Sequence, residues 1–287
     1  MPELVPWAGE DRDPDISIRL GAVPCQLDDL VHQGPFLQID TRGFCLLILE
    51  DVASYLVPDE STVIVATRPD APAADIRLFL LGSVLGFLCH KRGPFPLHAS
   101  CLAIDDGAVA FSGPSGAGKS TTAIHFARRG HRLLTDDICA IDVAPSDGPR
   151  VLPTFPRTKL WRDSMDSADL NGEGLDRIRS GRDKYDYRPP GVFLTDPVPL
   201  RAVFLLEKAE PDQLDGIVRL THPVKIISAL SAETYRPQAA TALGRERALF
   251  TAQAKIAASV PVYRLTRPYD FARMDAWMEA VEATVRG

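Results

Sequence analysis

Apolar residues come first in short runs and only later at helical spacing. ISIRL (16–20), FCLLILE (44–50) and STVIVAT (61–67) are short, β-branched in part and bounded by turn formers such as Thr41-Arg42-Gly43, the pattern of strands. They predict a small β-rich unit over residues 1–75. RPDAPAAD (68–75) reads as a linker, with Asp75 placed to cap a following helix. From 76 to 91, Ile76, Phe79, Leu80, Val84, Phe87 and Leu88 keep helical spacing on more than one side, so a buried packing helix is expected.

Residues 97–104 and 108–113 then read as strands joined by the hairpin signal Asp105-Asp106-Gly107. A glycine-rich loop, a helix over 119–129 closed by Gly130, and a returning strand in HRLLTDDICAID complete a βαβ pattern. The polar segment 162–188 predicts a mobile loop over the site. Beyond it come strands 200–207 and 216–221, helices 223–233 and 238–258, strand 260–266 and a helix from Phe271, with Thr221 or His222 as a cap and Pro223 in the first turn. The class is α/β, with the second domain spanning 76–287.

The 287 residues are 45% hydrophobic and 24% charged, with a net charge of -6. That describes an ordinary globular chain without the global basic field that draws a protein to nucleic acid or anionic lipid. Trp7, Trp161 and Trp277 are too dispersed to form a base-stacking platform. The five cysteines are scattered, with no CxxC pair, which suits a reducing compartment. The acidic N-terminus lacks a signal pattern, and the apolar stretch Leu78–Cys89 falls short of a bilayer. The expectation is a cytoplasmic protein with no nucleic-acid or membrane partner.

The chemistry concentrates in GPSGAGKS. Gly113, Pro114, Ser115, Gly116, Ala117, Gly118, Lys119 and Ser120 fit G-x-x-x-x-G-K-[ST] in full, between a buried strand and a helix that continues with Thr121. Glycines let backbone amides turn toward phosphate oxygens, and the helix N-terminus adds partial positive charge. Lys119 reaches the outer phosphates, while Ser120 offers a hydroxyl to Mg²⁺. ATP and Mg²⁺ are therefore the expected cofactors.

Asp136 and Asp137 follow so soon that only one helix and a returning strand separate them from Ser120, which places them beside the loop from an adjacent strand. Two carboxylates there can divide the work, one near the metal and one accepting the proton of an attacking hydroxyl. His98 begins the strand that pairs with the loop strand. In FPRTKLW and the polar segment, Arg157, Lys159, Arg179, Arg182, Lys184 and Arg188 offer positive charge, and Arg157 and Lys184 are the preferred phosphate or substrate contacts.

LHASCLAID, GPSGAGKS and RRGHRLLTDD, at these spacings, resemble the HPr kinase/phosphorylase family closely over about residues 95–145. The resemblance implies a P-loop kinase domain of the type shared with phosphoenolpyruvate carboxykinase. It also implies Asp137 as proton acceptor, His98 assisting it, and Lys119 and Ser120 serving phosphate and metal, in a chain able to form a homo-oligomer. The family's glycine-rich segment with a metal-binding Glu has no clear counterpart in NGEGLDRIRSGRDKYDYRPP, so the reverse reaction is not expected. DIRLFLLGSVLGFLCHKRGPFPLHAS followed by VLPTFPRTKLW further resembles the kinases encoded with lasso-peptide precursors. The implied activity is phosphorylation of a serine on a peptide or small protein. Two alternatives share the ATP site: a small-molecule or carboxykinase-like phosphotransferase, and a nucleotide-dependent switch without catalysis.

Overall fold

The computed structural model describes residue 4 and residues 13–155, 157–168, 170, 184–188, 193–209, 215–267 and 270–287. The chain forms two compact units. One holds Pro6–Pro94 and Arg236–Leu249, and the other holds Pro2–Val5, Phe95–Tyr235 and Phe250–Gly287. The sequence pattern draws its division at residue 75 instead.

In the first unit, β1 (Ser17–Leu20), β2 (Leu30–Gln33), β3 (Leu37–Asp40), β4 (Cys45–Leu49), β5 (Ala53–Val57) and β6 (Thr62–Thr67) form one sheet in the order β1-β6-β5-β4-β3-β2. Only β1 and β6 are parallel; the other neighbours are antiparallel. The apolar pattern finds β1, β4 and β6 and misses the other three. β2 (LVHQ) and β3 (LQID) each hold two polar residues in four, and β5 (ASYLV) is buried throughout, so none of the three shows an apolar run or a clear alternation.

The helical stretch begins earlier than predicted. It comprises α1 (Ala73–Phe79), a π-helical turn (Leu80–Val84) and α2 (Leu85–Arg92). Pro72 occupies the N-cap without a side-chain bond, and Asp75 lies inside the first turn instead of capping it. Ala73–Arg92 is long and apolar enough to cross a membrane, but Leu80, Val84, Phe87 and Leu88 are buried in one core with Tyr55, Val57 and Val63 of the sheet. It is therefore the core helix that its two-sided hydrophobicity predicts.

At the end of β3, the buried Asp40 carboxylate accepts from the Phe44 N–H (2.9 Å), the Arg42 N–H (3.0 Å) and the Arg42 guanidinium (2.8 and 2.7 Å). Burial raises its pKa, but these donors outweigh burial and hold it below the ordinary carboxylate value. A depressed carboxylate stabilises the fold above its unfolded pKa of about 3.9, and that contribution is lost as pH falls through the folded value. Asp40→Asn is expected to cost about 1–3 kcal/mol at neutral pH. The urea midpoints of the two proteins should converge below the ordinary carboxylate range. A gap that persists there would show that the charge plays no part.

The second unit continues with β7 (Phe95–Leu97), β8 (Ala99–Ile104), β9 (Gly107–Ser112), α3 (Lys119–Arg128), β10 (Arg132–Thr135), β11 (Cys139–Asp142) and β12 (Arg150–Leu152). Next are β13 (Thr158–Trp161), α4 (Arg162–Ser167), β14 (Lys184–Tyr187), β15 (Val198–Lys208), β16 (Gly216–Arg219) and α5 (Pro223–Ala232). After α6 (Pro237–Ala242), which falls in the first unit, come α7 (Glu246–Ser259), β17 (Val262–Arg267) and α8 (Met274–Arg286). The predicted helix 238–258 is thus two helices, parted at Gly244 with φ +65°. His222 is the N-cap of α5 without a side-chain bond, and Pro223 opens the helix.

The nine-stranded sheet runs β10-β8-β9-β15-β12-β11-β7, with β17 on β15 and β16 on β17. Every residue of β9 is buried. Phe111 stacks between Phe126 of α3 and Phe204 of β15, at centroid distances of 5.4 and 5.6 Å, and this aromatic column anchors the strand that feeds the glycine-rich loop.

Two predicted features change form. The strand expected over 97–104 breaks at His98: β7 pairs with β11, whereas β8 pairs with β9 and β10. The polar segment expected as a loop begins with α4 and ends in β14, which pairs with β13. Residues 169 and 171–183 lie outside the described residues.

Candidate active site

The loop conformation follows from its glycines. Gly113 has φ +149°, and a Cβ there would lie 2.7 Å from the Leu206 carbonyl oxygen. Only glycine fits against β15 at that point. Gly118, at φ +88°, is the N-cap of α3, and its carbonyl accepts from the Thr122 N–H at 2.8 Å. Lys119 is buried, with Nζ donating to the carbonyls of Gly113 (2.6 Å) and Pro114 (3.2 Å). The ammonium is thereby held within the loop.

His98 and the aspartate pair meet because two chain segments change partners at the same place. β8 pairs with β10 and β7 with β11, so the link through His98 faces the link through Asp136 and Asp137. Links between ladders leave backbone groups for other bonds, and His98 Nδ1 lies 2.9 Å from the Asp137 carbonyl and 3.4 Å from its carboxylate. Asp137 has φ +90°, a conformation few side chains other than Asp and Asn accept. The pair does not arrive on the strand next to the loop strand, since β8 separates β10 from β9.

The two carboxylates have different surroundings. Asp136 is 5% exposed and accepts from Ser120 Oγ (3.0 Å), from the Lys159 N–H (3.0 Å) and from Ser100 Oγ. Asp137 is more open and bonds Lys159 Nζ at 2.7 Å. Lys159 reaches it from β13, where Thr158 and Leu160 are buried and Lys159 and Trp161 take the alternate positions. Leu160 packs with Ile124 and Ala127 of α3 and Met165 of α4, which fixes that alternation.

These groups share a cavity of about 470 Å³. His98, Asp136, Asp137 and Lys159 line it with the loop residues Ser115, Gly116, Gly118, Lys119, Ser120 and Thr121. Trp161, Arg267, Phe271 and Met274 line it as well. Gly113, Pro114 and Ala117 shape the loop without lining the cavity. Arg157 is buried at 3% exposure, its N–H bonded to the Phe155 carbonyl before β13 begins, and it does not line the cavity. Lys184 has its backbone opposite Trp161 in β14, and its side chain lies outside the described residues.

Three residues carried no signal in the sequence. Arg267, at the end of β17, donates to Thr122 Oγ1 at 2.8 Å, with Nη2 next to Gly118. Phe271 stacks on His125 of α3 at 6.4 Å. The Glu233 carboxylate accepts from the Gly113 N–H at 3.1 Å. All three approach the loop from more than a hundred residues downstream, where local pattern carries no information about proximity.

Ser120 and Asp136 present adjacent hard oxygen donors, which fits Mg²⁺, an ion that proteins commonly hold by one or two side chains together with substrate phosphates.

No family model matches the chain. It is 32% identical over 108 residues to the HPr kinase/phosphorylase of Clostridium botulinum (strain Eklund 17B / Type B), covering 36% of this chain and 34% of that protein. It is 42% identical over 63 residues to the HPr kinase/phosphorylase of Clostridium beijerinckii (strain ATCC 51743 / NCIMB 8052), covering 22% and 20%. Among solved structures, the HPr(Ser) kinase/phosphatase of Coxiella burnetii aligns with a TM-score of 0.35 and 14% identity, over 67% of this chain and 88% of that one. The chain spans about a third or less of the length of the curated relatives it matches. Over the matched stretch, this protein is a homologue of the HPr kinase/phosphorylases.

Proposed function

We propose that the second unit is an ATP-dependent kinase that phosphorylates a serine hydroxyl on a peptide or small protein. The observation that carries this reading is Asp137 in the phosphate-loop cavity, bonded to Lys159 and facing His98. A pure nucleotide switch needs no carboxylate poised for a hydroxyl.

In this reading the loop amides and Lys119 bind the ATP phosphates, Lys119 exchanging its loop carbonyls for phosphate oxygens. Ser120 and Asp136 hold Mg²⁺, which when bound neutralises phosphate charge. The substrate hydroxyl donates to Asp137, and Lys159 and His98 fix that carboxylate's direction. Phosphoryl transfer is loose, so the proton leaves late and a weak base is sufficient; most of the catalysis is positioning and charge neutralisation. Lys159 also places positive charge beside the transferring group, the role that sequence assigned first to Arg157 and Lys184. The homology to HPr kinase/phosphorylases supports the reaction class. The substrate we favour is a ribosomal lasso precursor peptide, in a reducing cytoplasm.

Mass spectrometry after incubation with Mg-ATP and either a lasso precursor peptide or HPr tests this. One added phosphoryl group on a peptide serine supports the proposal and selects the substrate. Transfer to neither, with the Asp137→Asn variant behaving identically, would overturn it.

Phe271, 47% exposed at the cavity wall, is the aromatic surface we assign to the nucleotide base. Phe271→Ala is expected to weaken ATP binding by about 1–2 kcal/mol, as loss of base stacking does, and to leave tripolyphosphate binding unchanged. Equal losses for both ligands, measured by calorimetry, would remove the base from that wall.

A further inference from the structure

Glu233 stands where electrostatics disfavours an acid. It is the C-cap of α5, and the C-terminal end of a helix dipole repels negative charge. It also touches the start of a loop built to receive phosphates, whose charge it opposes. Its bonds point to a compensating role. The carboxylate accepts from the Gly113 N–H at 3.1 Å and lies 3.4 Å from Ser112 Oγ. Ser112 Oγ donates to the His98 carbonyl at 2.8 Å, and the Glu233 carbonyl accepts from the His98 N–H at 2.8 Å. Tyr235, two residues on, packs its ring 5.6 Å from the His98 ring.

His98 is thus gripped on both backbone faces by groups that also hold Gly113. We infer that Glu233 is a positioning residue that fixes the phosphate loop relative to His98 and Asp137, setting the distance between the bound phosphoryl group and the acceptor hydroxyl. The inference rests on the kinase reading above. It implies a division of effects: the carboxylate opposes phosphate binding slightly and accelerates transfer through geometry. A residue that only stabilised the fold would show no such division.

The test compares wild type, Glu233→Gln and Glu233→Ala in the phosphorylation assay, with amide hydrogen exchange at Gly113 and His98 read by NMR. Glu233→Ala is expected to lower kcat about 10- to 100-fold, the scale of an ångström's misplacement, with the KM for Mg-ATP unchanged or lower. Glu233→Gln keeps an acceptor oxygen and should restore kcat to within about threefold.

In Glu233→Ala, exchange should quicken at Gly113 and also at His98, whose bond to the residue-233 carbonyl survives the substitution chemically. An unchanged kcat, a rise in KM alone, or a glutamine variant as slow as the alanine variant would overturn the inference. So would faster exchange confined to Gly113. Should the wild type transfer no phosphate, the kinase reading falls, and the exchange at His98 decides by itself whether Glu233 couples the two segments.

Discussion

Asp137→Asn is expected to lower serine phosphorylation by about 10²- to 10⁴-fold, the usual contribution of a positioned proton acceptor, while Mg-ATP affinity stays near that of wild type. The substitution is nearly isosteric and keeps the surrounding contacts. Lys159 Nζ, 2.7 Å from Oδ2, still meets an oxygen once the amide is turned. The 2.9 Å contact of His98 Nδ1 is with the Asp137 backbone carbonyl, so it does not depend on the side chain. Asparagine also accepts the φ of +90° that position 137 requires. What is lost is the charge and the capacity to take a proton. Mass-spectrometric rates with the substrate peptide, beside calorimetric binding of Mg-ATP, check this. A variant as active as wild type would remove Asp137 from the reaction.

The largest effect on the fold is expected at Gly113. Its φ of +149° lies outside the range of L side chains, and an alanine Cβ would come within 2.7 Å of the Leu206 carbonyl oxygen. That neighbour is backbone in the buried part of β15, paired with both β9 and β17, so it cannot turn aside as a side chain would. Gly113→Ala should cost about 2–4 kcal/mol of stability, combining backbone strain with overpacking. It should also weaken nucleotide binding, because the Gly113 carbonyl and N–H contact Lys119 and Glu233. Gly116 makes the comparison: φ is +86°, but no atom lies within 4 Å of a Cβ there, so Gly116→Ala should cost only about 1 kcal/mol. Thermal melts of the two variants distinguish the cases. Equal melting temperatures would mean that crowding by Leu206 contributes nothing.

The candidate site lies within one of the two units. The phosphate loop, the His98 link and the aspartate pair belong to the second unit. The first unit is a separately cored sheet whose buried side is filled by its own long helix.

Which features were legible follows from how local they are. The phosphate loop and the Asp105-Asp106 hairpin each depend on a few consecutive residues, so glycine placement and the flanking apolar runs announce them. The long helix is legible for a similar reason, although the apolar spacing begins only at Ile76: Pro72 ends the extended segment and the chain becomes helical at Ala73, before Asp75 can act as a cap. Strands β2 (LVHQ) and β3 (LQID) are hidden because half of their residues are polar, and β5 (ASYLV) because it opens on small residues and is buried on both faces.

The roles of Lys159 and Arg157 show where local pattern stops. Both are cations in FPRTKLW, and nothing in the composition of that segment ranks one above the other. The choice is made by Leu160, whose burial against α3 and α4 sends Lys159 toward Asp137. Arg157, ahead of the strand, is buried elsewhere.

By itself, then, the sequence determined a phosphate-binding loop between a buried strand and a helix, with two carboxylates one helix and one strand away. These are consequences of short-range backbone preference and spacing. The resemblance already pairs His98 with Asp137; tertiary structure alone decided that they meet where two ladders exchange partners, that Lys159 is the cation beside them, and that Glu233 and Arg267 close on the loop from 120 and 145 residues away. The physical reason is that a ladder's register and a core's packing are properties of the whole sheet, and no window of the chain contains them.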